Sequence, residues 1–340
     1  MKDDTIGGGQ LLVCVYLTMT AEMLIRPYRD PIQFPAQVLI PAAGINLLLV
    51  ALLLRPQKRS VLCCAQHAQN PVGKIILFFA AAVLSVSGGV ALNDADGFLG
   101  FTGEERISFF LFLPLVLLLV FYAVRLGAEG FARVGGVVLI LILLSFGLVV
   151  LSNLRDLRLQ NLQILPHPET KVLQALGTGF YFSPALLAGT VLSEKTQYPA
   201  KLRWSRLLIG VFATYFLFTV IGELTLGSFA SVQRQPVYTL ARIGGLSVFR
   251  RLDSLHSSIW LMALLLGIVM EAAATELLLR GIMPKEGKRY TVLVTVLLFG
   301  STAVLLHLFP TATLFRWITA GAAGGTLLLA IILQRRRREH

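Results

Sequence analysis

Long apolar runs, repeated from one end of the chain to the other, constrain this sequence more than any other feature. A helix needs about 20 mostly apolar residues to cross the hydrocarbon core of a bilayer. Ten stretches meet that requirement, at approximately 9–24, 34–54, 74–92, 107–124, 131–151, 172–193, 207–226, 256–279, 291–308 and 312–333. In hydrocarbon every backbone N–H and C=O must find its partner inside the protein, so only helices and closed barrels span. Runs this long, with no two-residue alternation, predict helices. The expected fold is therefore all-α, a single polytopic transmembrane domain over residues 1–340 with about ten spans. Only 14% of the residues are charged, against about 25% in an ordinary soluble domain.

The charges that remain are placed by topology. Net charge is +12, from 30 basic and 18 acidic residues. In a soluble chain that excess would suggest nucleic acid. Here Lys and Arg fall in short segments between the apolar runs, so the implied partner is the lipid bilayer and nucleic acid is excluded. With the N-terminus in the cytoplasm, the inner segments hold nearly twice as many basic residues as the outer ones. Cytoplasmic loops carry such a bias. Both termini are thus predicted to be cytoplasmic, with Arg335 to Arg338 inside and the acidic stretch from Asn93 to Glu105 forming an outer loop. The first apolar run lacks a small-residue cleavage site and is expected to be a retained helix.

An even set of ten spans divides into two fives, approximately 8–152 and 172–333, that enter the membrane from opposite sides. Inverted repeats of this kind build many secondary transporters, whose binding sites lie at interrupted helices. The sixth span carries such an interruption: Gly177-Thr178-Gly179, then Ser183-Pro184. Glycine loosens the helical backbone, while proline lacks an N–H and clashes one turn back. The half-helix end beyond Gly179 would suit a ligand carboxylate, because free N–H groups and the positive end of the dipole point there. Thr178 and Ser183 would add hydroxyl donors, and Phe180, Tyr181 and Phe182 would wall an apolar pocket. The repeat also predicts a break in the first span, where Thr18 and Thr20 are the counterparts. The competing reading is a Pro-kinked packing helix, with threonines bonded to their own backbone.

Intramembrane charge supplies the other candidate. Glu271 lies well inside the eighth span, with Thr275 four residues on. A carboxyl at that depth pairs, titrates or coordinates a cation, which makes Glu271 the candidate for proton or ion coupling; a structural salt bridge is the alternative. Glu276 is expected to snorkel towards the inner surface, and Glu22 and Glu223 to lie at the outer interface. Arg316, inside the tenth run, is expected to pair with Glu223. Arg125, Glu129 and Arg133 form a predicted ion-pair set on a cytoplasmic connection. The outer segment 227–255 is predicted to carry short interfacial helices around Tyr238–Arg242 and Val248–Leu252. Neither the cysteines nor the lone His307 have metal-ligand spacing. The Gly7-Gly8-Gly9 run precedes a helix instead of following a strand, and no phosphate loop or nucleophile elbow is present. No cofactor, no metal site and no enzyme are expected.

Several motifs resemble a known family. The segment Tyr122-Ala123-Val124-Arg125-Leu126-Gly127-Ala128-Glu129-Gly130-Phe131-Ala132-Arg133 is similar to the hinge between the fourth and fifth helices of GerA-type spore germination receptor B-subunits. These belong to the spore permease family of the amino acid–polyamine–organocation transporter superfamily. Pro236 to Arg242, Phe249 to Ser254, Ile259-Trp260 and Ile6 to Gln10 carry further similarity. The resemblance implies a ten-helix, LeuT-like five-plus-five fold in the spore inner membrane. It implies recognition of a small nutrient germinant, commonly an amino acid, beside an A-type subunit and a lipoprotein C-type subunit. The chain departs from the family pattern in its shorter length and in a first span without a glycine-containing turn. A free-standing proton- or sodium-coupled amino acid transporter in the cell membrane has the same fold.

Overall fold

The computed structural model describes residues 5–25, 35–54, 71–101, 108–164, 183–196, 202–233, 235–244, 252–283 and 286–309, with a few further residues near 168–175 and 318–329. The elements are α1 (Gly8–Ile25), α2 (Ala36–Leu54), α3 (Pro71–Phe101), α4 (Phe109–Leu126), α5 (Ala128–Asn153), α6 (Pro184–Leu192), α7 (Trp204–Leu226), α8 (Pro236–Ile243), α9 (Leu252–Ile282) and α10 (Lys288–Leu308). Short 3₁₀ turns follow α5, α6 and α7. Among the described residues there is no β-strand, only an isolated bridge between Ile6 and Thr196. Among the described residues six helices (α3, α4, α5, α7, α9 and α10) are long and apolar enough to cross a membrane. Together these features define an integral membrane bundle.

How the helices bury themselves follows from their sequence. In α4, Phe109, Phe112, Leu113, Val116, Val120 and Val124 are buried at helical spacing. Phe110, Leu111, Leu115, Leu118, Leu119 and Tyr122 on the opposite face are exposed and equally apolar. A helix that is apolar all round, with half its circumference exposed, faces lipid. Helix α9 is the reverse case: 78% of its most apolar window is buried, against 33% for α4 and α5. It packs against α3, α1, α5, α6 and α10, so the bundle is assembled around it.

With lipid no less apolar than leucine, helices associate through close packing, and small residues let backbones approach. Helix α1 is gripped in this way from three sides. A Cβ at Gly135 of α5 would lie 2.7 Å from Cys14 Sγ, one at Gly189 of α6 would lie 2.6 Å from Val15 Cγ2, and one at Gly267 of α9 would lie 2.7 Å from Thr18 Cγ2. Helix α7 adds a hydroxyl contact: Thr214 donates to Gly210 O, so Tyr16 Oη donates to Thr214 Oγ1 at 2.7 Å. Between α4 and α5 the backbone turns at Gly127 with φ 110°, a conformation open to glycine alone. This is the hinge of the resembling motif, and Glu129 and Arg133 beyond it form an exposed ion pair.

Three expectations change here. Helix α3 continues to Phe101, so the acidic segment from Asn93 begins as helix instead of loop. Asn93 anchors that extension by donating to Gly89 O and Ala303 O, at 3.0 and 2.9 Å. Helix α1 is continuous from Gly8 to Ile25, so the break expected near Thr18 and Thr20 does not lie there. The amphipathic segment around Tyr238 does form a helix, α8. Its Val237, Tyr238, Leu240 and Ala241 are buried, so it is docked onto the bundle, with Asn153 of α5 donating to Leu240 O at 3.0 Å. The expected second interfacial segment at 248–252 and the tenth apolar run lie largely outside the described residues.

Candidate functional site

The site is built where α6 begins. Ser183-Pro184 is a strong start signal: a serine N-cap with proline at the first helical position. Ser183 Oγ accepts the Ala185 N–H at 3.1 Å. All nine residues of α6 are buried, and at 1.5 Å per residue the helix is about 14 Å long, half the thickness of the ~30 Å core. It runs antiparallel to α1. Ile6 donates its N–H to Lys195 O at 2.8 Å, Val15 meets Gly189, and Glu22 meets Ser183, so numbers rise along one helix as they fall along the other.

Glu22 was expected at the outer interface. Instead Ser183 Oγ donates to its Oε2 at 2.8 Å, which seats a carboxylate of the protein itself at the start of α6. The positive end of the helix dipole favours an anion there. Glu271 of α9 is 1% exposed, and its Oε1 accepts the Ser87 hydroxyl of α3 at 2.9 Å. Its Oε2 is buried with no hydrogen-bond donor among the described residues. Glu22 acts on Glu271 electrostatically. Two carboxyls, each holding a serine hydroxyl, thus join α1, α3, α6 and α9.

The other sequence candidates divide clearly. Thr18 and Thr20 are buried, and they donate to Cys14 O at 2.9 Å and Tyr16 O at 2.7 Å; their protons are spent on α1 itself. Thr275 donates to Glu271 O at 2.8 Å, bonding the backbone and not the carboxyl. Gly177, Thr178, Gly179, Phe180 and Phe182 lie outside the described residues, as does Arg316. Glu276 does not snorkel: it is buried, with Oε1 held by Arg280 Nε and, at 2.9 Å, by Thr291 Oγ1. Glu223 is buried too. Its Oε2 accepts the N–H of Ala36, the first residue of α2, and its Oε1 accepts the N–H of Gln163 at 2.6 Å. It is a capping carboxylate for two distant segments, enclosed by protein in the last turn of α7. His307 stacks on Phe109 with ring centroids 3.9 Å apart.

Sequence reasoning missed His256. Its buried Nδ1 faces Ser145 Oγ at 2.6 Å and accepts Trp260 Nε1–H at 3.1 Å. Indole only donates, so Nδ1 is an acceptor and the ring proton sits on Nε2. The four-residue spacing of His256 and Trp260 was the signal available. Among the described residues no group of three or more His, Cys, Asp or Glu is placed to hold a metal ion.

The fold is that of a helical integral membrane bundle. Solved structures bear this out at the level of fold. Two crystal structures of point mutants of the manganese transporter of Eremococcus coleocola are each 15% identical to this chain, with a TM-score of 0.50, over 96% of this chain and 75% of theirs. No protein-family model matches the chain, and no curated protein matches it.

Proposed function

We propose that this chain is the permease-like subunit of a spore germination receptor that recognises a small nutrient germinant, an amino acid, within the membrane. The observation that carries the reading is α6: a buried half-length helix that starts in the bundle interior opposite α1. Interrupted helices at such a place form transporter binding sites. The antiparallel run of α1 and α6 is what a LeuT-like five-plus-five repeat requires, and it supports that repeat and the ten-span arrangement. On this reading the chain sits in the spore inner membrane, termini in the cytoplasm, beside A-type and lipoprotein C-type subunits. Deleting the gene should abolish germination on one nutrient and leave amino acid uptake by growing cells unchanged. Unaltered germination on every nutrient tested would refute the receptor role.

A second reading is favoured by Glu271 and its buried oxygen: a free-standing proton- or sodium-coupled amino acid transporter. Intramembrane carboxyls commonly mark ion pathways. Accumulation of a labelled amino acid in proteoliposomes, driven by an imposed proton or sodium gradient, would select this reading over the receptor.

A further inference from the structure

The polarity of the site bears on which end of the ligand it holds. The sequence suggests a ligand carboxylate at the half-helix end beyond Gly179; at the start of α6, four residues further on, the Glu22 carboxylate is already held by Ser183. A second anion there would meet the Glu22 carboxylate, and like charges at close range disfavour one another. Glu271 adds a further carboxyl, 1% exposed, whose Oε2 has no donor among the described residues. Leaving such an oxygen unmatched in a buried site is costly. The other interior acid of α9, Glu276, is already held by Arg280 and Thr291.

The geometry points to a site between Glu22 and Glu271 that takes the ammonium group of the ligand. This deepens, and rests on, the reading of the bundle as an amino acid-recognising permease. An ammonium offers three N–H donors, which suits two carboxyls that each already hold one serine hydroxyl. A hard divalent cation such as Ca²⁺ or Mg²⁺ asks for six or more oxygens, or for waters it keeps, and among the described residues no group of three or more His, Cys, Asp or Glu could hold a metal ion. Glu22 is half-buried and Glu271 is 1% exposed, so Glu271 is the deeper of the two carboxyls.

The test uses the full chain in nanodiscs of neutral lipid. The standard L-amino acids, their carboxamides and the matching deaminated acids serve as probes, read by isothermal titration. For an amino acid that binds, the amide keeps the ammonium and should bind within about threefold. The deaminated acid should lose about a hundredfold or more, the equivalent of at least one strong charge-assisted hydrogen bond. Glu271→Gln should weaken binding of acid and amide alike by tenfold or more, and Glu22→Gln, at a half-exposed position where folding is safe, should act in the same direction. A deaminated acid that binds while the amide does not overturns the inference but leaves solute recognition standing, as do unchanged affinities in both variants. Binding of sodium alone, with no amine bound, also overturns it. If none of the compounds binds, amino acid recognition itself fails.

Discussion

The contact between Gly267 and Thr18 holds α1 to α9 one turn away from each carboxyl, so Gly267→Ala is an informative perturbation. A Cβ built on Gly267 lies 2.7 Å from Thr18 Cγ2, 3.1 Å from Thr18 Oγ1 and 3.3 Å from Thr18 Cβ. Carbon atoms settle at about 3.5–4.0 Å, so the two helices must separate by about 1 Å or Thr18 must turn. Turning would break its bond to Cys14 O, made at 2.9 Å. Overpacking of this kind costs about 1–3 kcal/mol. Thr18→Ser removes the nearer atom, Cγ2, and keeps the hydroxyl and its bond, so it should recover most of the loss. The residual 3.1 Å contact to oxygen limits the rescue. The four proteins of this cycle can be compared by thermal unfolding in one detergent, with titration of whichever amino acid the wild type binds. The expected result is a lowered midpoint and weakened binding in the glycine variant, both restored in the double variant, with a coupling energy of about 1 kcal/mol or more. A glycine variant as stable as wild type, or a double variant no better than the single, would refute the packing argument.

Two further perturbations probe the frame around the site. Gly127→Ala forces a side chain into φ 110° at the turn between α4 and α5 and should cost about 1–3 kcal/mol, visible as a lower unfolding midpoint with little effect on ligand affinity. Glu223→Ala removes the acceptor shared by Ala36 and Gln163, leaving two backbone amides without it. Hydrogen exchange should accelerate at Ala36 and Gln163 while amides in the middle of α9 keep their protection.

Much of the frame was legible because hydrocarbon leaves so few options. The runs at 107–124 and 207–226 became α4 and α7 with ends shifted by no more than three residues, whereas Ser183-Pro184, read as part of an interruption, turned out to be the N-cap and first residue of α6. What was not legible depends on which helices meet. Glu22 sits at the end of an apolar run and near Arg26, so its sequence neighbours suggest an interface; only the approach of α6 gives it the Ser183 hydroxyl. Glu223 reads the same way, yet its partners lie 187 and 60 positions away. Thr18 and Thr20 were legible in both senses, and the backbone-bonded alternative matches the bonds they make. Glu271 stood out from sequence alone because a carboxylate so deep in an apolar run has few bland explanations. Its serine partner on α3 was hidden by ordinary composition.

The two hydrogen bonds of Ser183, one donated and one accepted, tie chemistry to mechanics. One oxygen atom both fastens the first turn of α6 and grasps Glu22, so whatever draws Glu22 aside loosens the helix at its root. Twelve residues further along, at about 1.5 Å each, the same rod ends against Ile6 through its contact with Lys195. A tug on Glu22 is thus carried about 18 Å through the bundle to the first residues before α1, which lie against Lys195.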